Sequence, residues 1–278
     1  MKLATFRQDG IVSFGAVTGE EVIEMKGKHP DLMALLAAGK PVMPVAGKRF
    51  ALSEIEFLAP IPRPGKLVCV GLNYASHLAL LPDPRPEVPI LFLKPITSLT
   101  GSGQPIFLPH VTGQVDYEGE LAVVIGTSCK YVTEGEALDF VAGYTCANDV
   151  SAHDIEFRTS QWTSGKMLDS FCPMGPVLVT ADEIPNPNAL RLKTTLNGET
   201  VQDETTADMI FSVAALVSFV SSLARLEPGD IILTGTPAGL GCMRDPQVFL
   251  KPGDRIAVTI AGIGTLDNPV AAETRQNR

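Results

Sequence analysis

The sequence predicts a mixed, β-rich α+β fold: a small N-terminal α/β module followed by a larger body. Three observations predict it. The 278 residues include 25 Gly and 22 Pro, a density of turn formers too high for a helical bundle. Short apolar runs bounded by turn residues recur along most of the chain, as strands do. Only one long segment repeats its apolar residues every three to four positions, as an amphipathic helix does.

The leading module is expected over residues 1–58. Strand-like runs Lys2–Phe6, Ile11–Val17 and Glu21–Met25 are separated by Asp9-Gly10 and Gly19, which read as hairpin turns. A short helix over Asp31–Ala38 should follow, with Asp31 at its start and Gly39 closing it. Pro60, Pro62 and Pro64 then hold Ala59–Gly65 extended, because a residue before proline is kept out of the helical region. This stiff connector marks the start of the body, 59–278.

Within the body, strands are expected at Lys66–Val70, Ile90–Leu93, Glu118–Ile125, Phe140–Asn148, Val177–Thr180, Leu190–Leu196, Asp230–Thr234 and Arg255–Ile260. The single periodic helix is expected over Ala207–Leu223, where Ile210, Val213, Ala214, Val217, Val220 and Leu223 share a face. Thr205 or Thr206 would cap it, and Pro228-Gly229 lies beyond its end.

Lys and Arg number 22 against 31 Asp and Glu, a formal charge of −9. No basic stripe offers the counterion release on which nucleic-acid binding depends, so no nucleic-acid partner is expected. The N-terminus lacks an apolar signal core, and Ile210–Leu223 falls short of the ~20 apolar residues that span a bilayer. A cytoplasmic protein without membrane contact is therefore expected. Cys69, Cys129, Cys146, Cys172 and Cys242 are odd in number and form no Cys-x-x-Cys pair, as expected of reduced, mostly buried thiols.

Four segments could carry chemistry. Asp116-Tyr117-Glu118-Gly119-Glu120 enters the run Leu121–Ile125, and strand alternation sends Glu118 and Glu120 to one face. Asn148-Asp149 ends another apolar strand. Three carboxylates meeting there would suit a hard cation such as Mg²⁺ or Mn²⁺, although Glu-x-Glu alone is more often a solvated face. His77 follows the strand Lys66–Val70, a place suited to a general base but also to an ordinary surface histidine. Lys166 closes Trp162-Thr163-Ser164-Gly165-Lys166. Thr234–Gly241 holds three glycines that allow close backbone approach, without the spacing of a nucleotide phosphate loop.

Taken in order, these segments resemble the fumarylacetoacetate hydrolase superfamily. The matching stretches include Gly71-Leu72-Asn73-Tyr74-Ala75-Ser76-His77, Phe92-Leu93-Lys94-Pro95, Val115–Gly126, Asn148-Asp149-Val150-Ser151-Ala152 and Gln161-Trp162 with Gly165-Lys166. Further on come Phe171–Pro176, Asn197-Gly198-Glu199, Pro228–Pro237 and Leu250–Asp254. The resemblance implies a β-roll catalytic domain, a homodimer, and Mg²⁺ or Mn²⁺ held by Glu118, Glu120 and Asp149. It also implies His77 as the histidine that activates water, Lys166 as an active-site ammonium, and Gln161 and Thr236 as substrate contacts. The substrate it implies is a 2-oxo or 2,4-dioxo acid, of the kind met in aromatic catabolism. The longer animal-type members place an aspartate ligand upstream of the histidine; Val68–Asn73 has none, so the chain resembles the shorter branch.

The pattern is broken in three places. Family hydrolases follow the histidine with a glutamate three residues on, and here that position is Leu80; Asp83 or Glu87 could substitute. His153 and Glu156 replace a substrate-facing arginine and glutamine. A histidine lacks the bidentate fork of arginine, so the substrate should carry fewer carboxylates at that end. Three apart on a helical turn, His153 and Glu156 could pair and stand in for the missing dyad.

The resemblance favours, as its first reading, a divalent-metal-dependent hydrolase cleaving a C–C bond in an acylpyruvate- or fumarylacetoacetate-type 2,4-dioxo acid through an enolate. The alternative is an isomerase, tautomerase or decarboxylase acting on 2-oxo or 2-hydroxydienoic acids, which Leu80 favours because no activated water is needed. A non-catalytic member is the rival from another class, and the intact Glu118, Glu120, Asp149 and Lys166 argue against it.

Overall fold

The computed structural model describes residues 1–25, 27, 29–39, 47–82 and 84–274. At its centre lies strand Gly119–Ile125, buried along its whole length. Leu121, Val123 and Ile125 join one apolar cluster, and Ala122 and Val124 another. A strand covered on both faces needs apolar residues at every position, which is why this run is continuous.

Gly119–Ile125 pairs antiparallel with Val141–Asn148 on one side and Ile231–Leu233 on the other. The sheet continues through Cys172–Thr180, Lys2–Gln8, Ile11–Thr18, Glu21–Glu24 and Arg49–Ala51 in one direction, and through Leu67–Gly71 and Ile90–Leu93 in the other. With the short strands Glu56–Phe57 and Leu99–Thr100 it holds twelve strands among the described residues. The leading residues are thus joined to the body by hydrogen bonds, with Lys2 opposite Val179 and Leu3 opposite Leu178.

A second sheet, Glu199–Thr205, Arg191–Leu196, Arg255–Ile260, Gly264–Ala272 and Ile106–Leu108, covers one face of the first. Leu192, Val258, Ile260 and Leu266 meet Leu121, Val123, Tyr144 and Val179 there. Helix Val213–Leu223 adds Val213, Leu216, Val217 and Val220 to the same core. The other face takes Leu32 and Leu36 from the short helix Leu32–Ala37. Asp31 caps that helix by accepting from the Ala34 N–H at 2.8 Å.

The long helix begins later than its periodicity predicts. Asn73 captures the backbone ahead of it: its carbonyl accepts from Ile210 N, and its side chain both accepts from Phe211 N and donates to Phe211 O. Those amides are lost to a helix, so Ser212 is the cap, accepting from Ala215 N at 3.1 Å. Thr205 caps only the single turn Thr206–Asp208. The strands Glu199–Thr205 and Gly264–Ala272 escape a hydrophobicity reading because of their polar content. The four buried cysteines and half-buried Cys242 are all free thiols. Among the described residues, no helix is long and apolar enough to cross a membrane.

Candidate metal centre and active-site pocket

The centre is assembled where two neighbouring strands end. Gly119 lies opposite Asn148 in the ladder. Just outside it, the Asn148 side chain accepts from Glu118 N at 2.9 Å, and Glu118 O accepts from Asp149 N at 2.8 Å. Carboxylate oxygens of Glu118, Glu120 and Asp149 consequently fall within 4.8 Å of one another, all three side chains buried. Glu118 precedes its strand rather than opening it, and it reaches the same side as Glu120.

Two lysines border the carboxylates. Lys166 donates to Glu118 Oε1 at 2.9 Å and Asp149 Oδ2 at 3.0 Å. Lys94 donates to Asp149 Oδ1 at 2.5 Å and to the Val150 carbonyl at 3.1 Å. Ser151 Oγ donates to Glu118, and Gly235 N to Glu120 Oε2 at 2.7 Å. That last bond requires a glycine: φ is +92° at Gly235, and a Cβ there would lie 2.8 Å from that of Asn73.

Burial raises the pKa of Glu120 well above the carboxylate range, and Asp149 and Glu118 push it further. Burial raises Glu118 as well, against the pull of Lys166. Burial also opposes ionisation of Asp149, but Lys166 and Lys94 outweigh it and hold that carboxyl low. Burial disfavours the Lys166 ammonium, yet Asp149, Glu118 and Glu156 keep it charged. Ionising all three carboxylates against two ammoniums would leave net negative charge in a desolvated space, which burial resists and a dication relieves. The donors are hard oxygens, so the residues fit Mg²⁺ or Mn²⁺ and not a thiophilic metal.

Beside the carboxylates lies a cavity of about 270 Å³ whose walls include His77, Glu118, His153, Glu156, Lys166 and Thr236. A larger cleft of about 690 Å³, lined by Met1, Leu36, Leu138 and Glu183, lies away from these groups; chemistry rather than size selects the smaller one. His77 sits on the short helix Ala75–Leu78. Its segment is tied down by Asn73, which donates to Thr234 O, and by Ser76 N, which donates to Asp208. His77 Nδ1 meets the Thr236 carbonyl at 3.3 Å. A carbonyl only accepts, so Nδ1 carries the proton and Nε2 keeps the lone pair. Burial lowers the pKa of this ring, and the Thr236 carbonyl opposes the shift only in part; the imidazole is neutral.

Among the described residues, no carboxylate partners the His77 ring in the expected ways. Leu80 and Glu87 are exposed, and Asp83 lies outside the described residues. His153 and Glu156 do pair, Nδ1 to Oε2 at 2.9 Å, but His153 Nε2 meets Asp116 Oδ2 at 3.1 Å. Burial disfavours charge on His153, yet hydrogen bonds to Asp116, Cys242 and Glu156 push its pKa up to about 12. Clamped as an imidazolium, His153 has no lone pair with which to act as a base, so the pair cannot replace a His–Glu dyad.

Gln161 is exposed, and the structure does not bring it to the cavity. Thr236 reaches the wall, but its hydroxyl donates to Gly119 O at 3.0 Å and accepts from Gln202 at 2.8 Å. Its direct service is to hold His77 through its carbonyl.

Two residues at the site have no role in the sequence reading. Lys94 stands in a quoted motif, and its one signal is a charge following an apolar strand. Asp116 shares the Glu118 and Glu120 alternation, but the chain turns between strands Val115–Asp116 and Gly119–Ile125. Its carboxylate therefore leaves the cluster and accepts from Tyr117 N, Gly241 N, Cys242 N and His153. Asp116, His153 and Cys242 lie close enough to share an ion, but these four donors make Asp116 the anchor of an ion pair.

This fold and centre belong to a known class. Residues 66–271 match the fumarylacetoacetate (FAA) hydrolase C-terminal model and residues 1–60 the Rv2993c-like N-terminal model. The chain belongs to the fumarylacetoacetate hydrolase family. It is 40% identical to oxaloacetate tautomerase FAHD2A, mitochondrial, of Homo sapiens, over 97% of this chain and 91% of that one. A fumarylacetoacetate hydrolase from psychrophilic Exiguobacterium antarcticum superposes with a TM-score of 0.88 at 38% identity, covering 98% of this chain and 100% of the other. A 2-hydroxyhepta-2,4-diene-1,7-dioate isomerase from Mycobacterium marinum gives 0.83 at 39%, covering 99% and 100%.

Proposed function

We propose that this enzyme is a divalent-metal-dependent tautomerase or isomerase that moves a proton next to the carbonyl of a 2-oxo acid, through an enolate, and not a C–C bond hydrolase. The observation that carries this reading is the setting of His77: a neutral imidazole held by a main-chain carbonyl. Hydrolysis demands a base that strips water, and such a histidine works best when a carboxylate stabilises the imidazolium it becomes. Taking a proton from carbon beside a carbonyl and returning it to the same acid needs only a neutral base nearby. The names of the human tautomerase and the mycobacterial isomerase point the same way.

Glu118, Glu120 and Asp149 would hold Mg²⁺ or Mn²⁺, which supplies Lewis-acid stabilisation for charge developing on the substrate oxygen. Lys166, fixed between Glu118 and Asp149 and 5.1 Å above the Phe92 ring, adds an ammonium that need not reorganise as that charge appears. His77 Nε2 accepts and returns the proton, while the Thr236 carbonyl keeps the ring in the tautomer with Nε2 unprotonated.

The test follows a 2-oxo acid in D₂O with Mn²⁺ or Mg²⁺. Deuterium should enter C3, seen by NMR, and the enol absorbance should relax faster, without C–C cleavage. Cleavage of an acylpyruvate faster than its C3 exchange would overturn the reading.

A further inference from the structure

We infer that the acid this site takes carries one carboxylate and, at its other end, an uncharged apolar tail. The inference rests on the enolate reading above and adds a substrate class to it. Its basis is how the cavity walls distribute charge and apolar surface.

Two cationic side chains line the cavity among the described residues; Lys166 belongs to the reacting end, and the His153 imidazolium is held by its own carboxylates. Lys166 is shared by Glu118 and Asp149. The His153 imidazolium is shared by Asp116 and Glu156. Each positive charge already faces two carboxylates. Arg244, the next cation along the chain from Met243, spends its guanidinium on the carbonyls of Gly239 and Val201, at 3.3 and 2.7 Å. Around His153 two acids surround one base, leaving net negative charge at that wall of the cavity. A second substrate carboxylate brought there would lose water, gain no free cation and meet Glu156.

The rest of the wall has the opposite preference. Leu72, Leu81, Phe157, Trp162, Leu240 and Met243 line the cavity. The Trp162 indole lies against the end of strand Leu67–Gly71, and Gly71 makes room for it: a Cβ there would fall 2.1 Å from the ring. Phe157 stacks flat on the His153 ring, centroids 5.4 Å apart and planes 5° apart. The aromatic surface thereby shields the imidazolium from the tail. Burying a methylene against such walls strengthens binding about fourfold, whereas burying an unpaired carboxylate weakens it far more.

The experiment titrates the Mn²⁺-loaded enzyme with pyruvate, 2-oxobutyrate, 2-oxohexanoate, phenylpyruvate, oxaloacetate and 2-oxoglutarate. Binding is read from the fluorescence of Trp162, the one tryptophan of the chain, and turnover from C3 deuterium exchange. Dissociation constants should fall about fourfold per methylene from pyruvate to 2-oxohexanoate, with both dicarboxylates weaker than their apolar counterparts. Met243→Arg should reverse that order for 2-oxoglutarate. Tighter binding of the dicarboxylates by the unaltered enzyme overturns the tail assignment. If the apolar acids bind best but none exchanges its C3 proton, the enolate reading fails and the tail assignment stands.

Discussion

Lys94 Nζ lies 2.5 Å from Asp149 Oδ1, and both side chains are wholly withdrawn from solvent. An ammonium so placed shares with Lys166 the work of balancing Asp149 beside Glu118 and Glu120. Lys94→Met should therefore destabilise the metal-free protein by up to about 3–5 kcal/mol, the cost of fully stranding one partner of a buried ion pair, because Lys166 still faces Asp149. Added Mn²⁺ should narrow the gap to the unaltered protein, because a dication can take over the missing charge. Urea denaturation of both proteins with and without Mn²⁺ measures this, and a gap indifferent to the metal would place Asp149 outside the ion's reach.

Metal binding and turnover should separate cleanly by residue. Glu118→Ala and Asp149→Ala remove donor oxygens and should cost more than the roughly 10- to 100-fold in Mn²⁺ affinity that outer-shell partners are worth. Lys166→Met leaves all three donors in place. It should stay within that range by calorimetry while C3 exchange falls by ~10²- to 10³-fold, as when one preorganised electrostatic donor is lost. A Lys166→Met protein that neither holds Mn²⁺ nor turns over would make the lysine a prop for the carboxylates instead.

The pH profile should report His77. Burial favours the neutral ring, so its pKa in the fold lies below the ordinary 6.5. The base form then survives mild acid, and activity is lost only as pH falls through the lowered value, placing the acid limb below pH 6.5. Leu80→Glu puts a carboxylate on the same short segment, where opposite charge favours the imidazolium. The acid limb should move up by as much as about one unit, and acylpyruvate cleavage should become detectable. An unmoved limb without cleavage would mean that Leu80 is not what withholds hydrolysis.

What the sequence revealed of this site follows from the range of the interactions. Glu118 and Glu120 are two residues apart on one chain segment, so local alternation suffices to pair them. Asp149 is legible because it ends an apolar strand. Lys94 meets Asp149 across 55 residues and His153 meets Asp116 across 37, and no local period records such pairings. The fold divides the same way. Strands buried on both faces, such as Gly119–Ile125, announce themselves by apolar runs. Glu199–Thr205 and Gly264–Ala272 do not: the first exposes much of its length, and the second carries Asp267, Asn268 and Pro269. Asn268 is content there only because Gly101 and Gln104 offer carbonyls from a distant turn. The helix starts later than its periodicity suggests for a related reason, since Asn73 competes for its amides from more than 130 residues away.

The pairing of Lys2 with Val179 and Leu3 with Leu178 also bears on how the chain can be cut. A strand edge left open is a template for further strands. Residues 59–278 made alone would bare the backbone of Val177–Thr180 beside an apolar face that Leu3 normally covers. The leading segment is therefore the seal of the catalytic sheet, and the body freed of it should associate with itself through that strand.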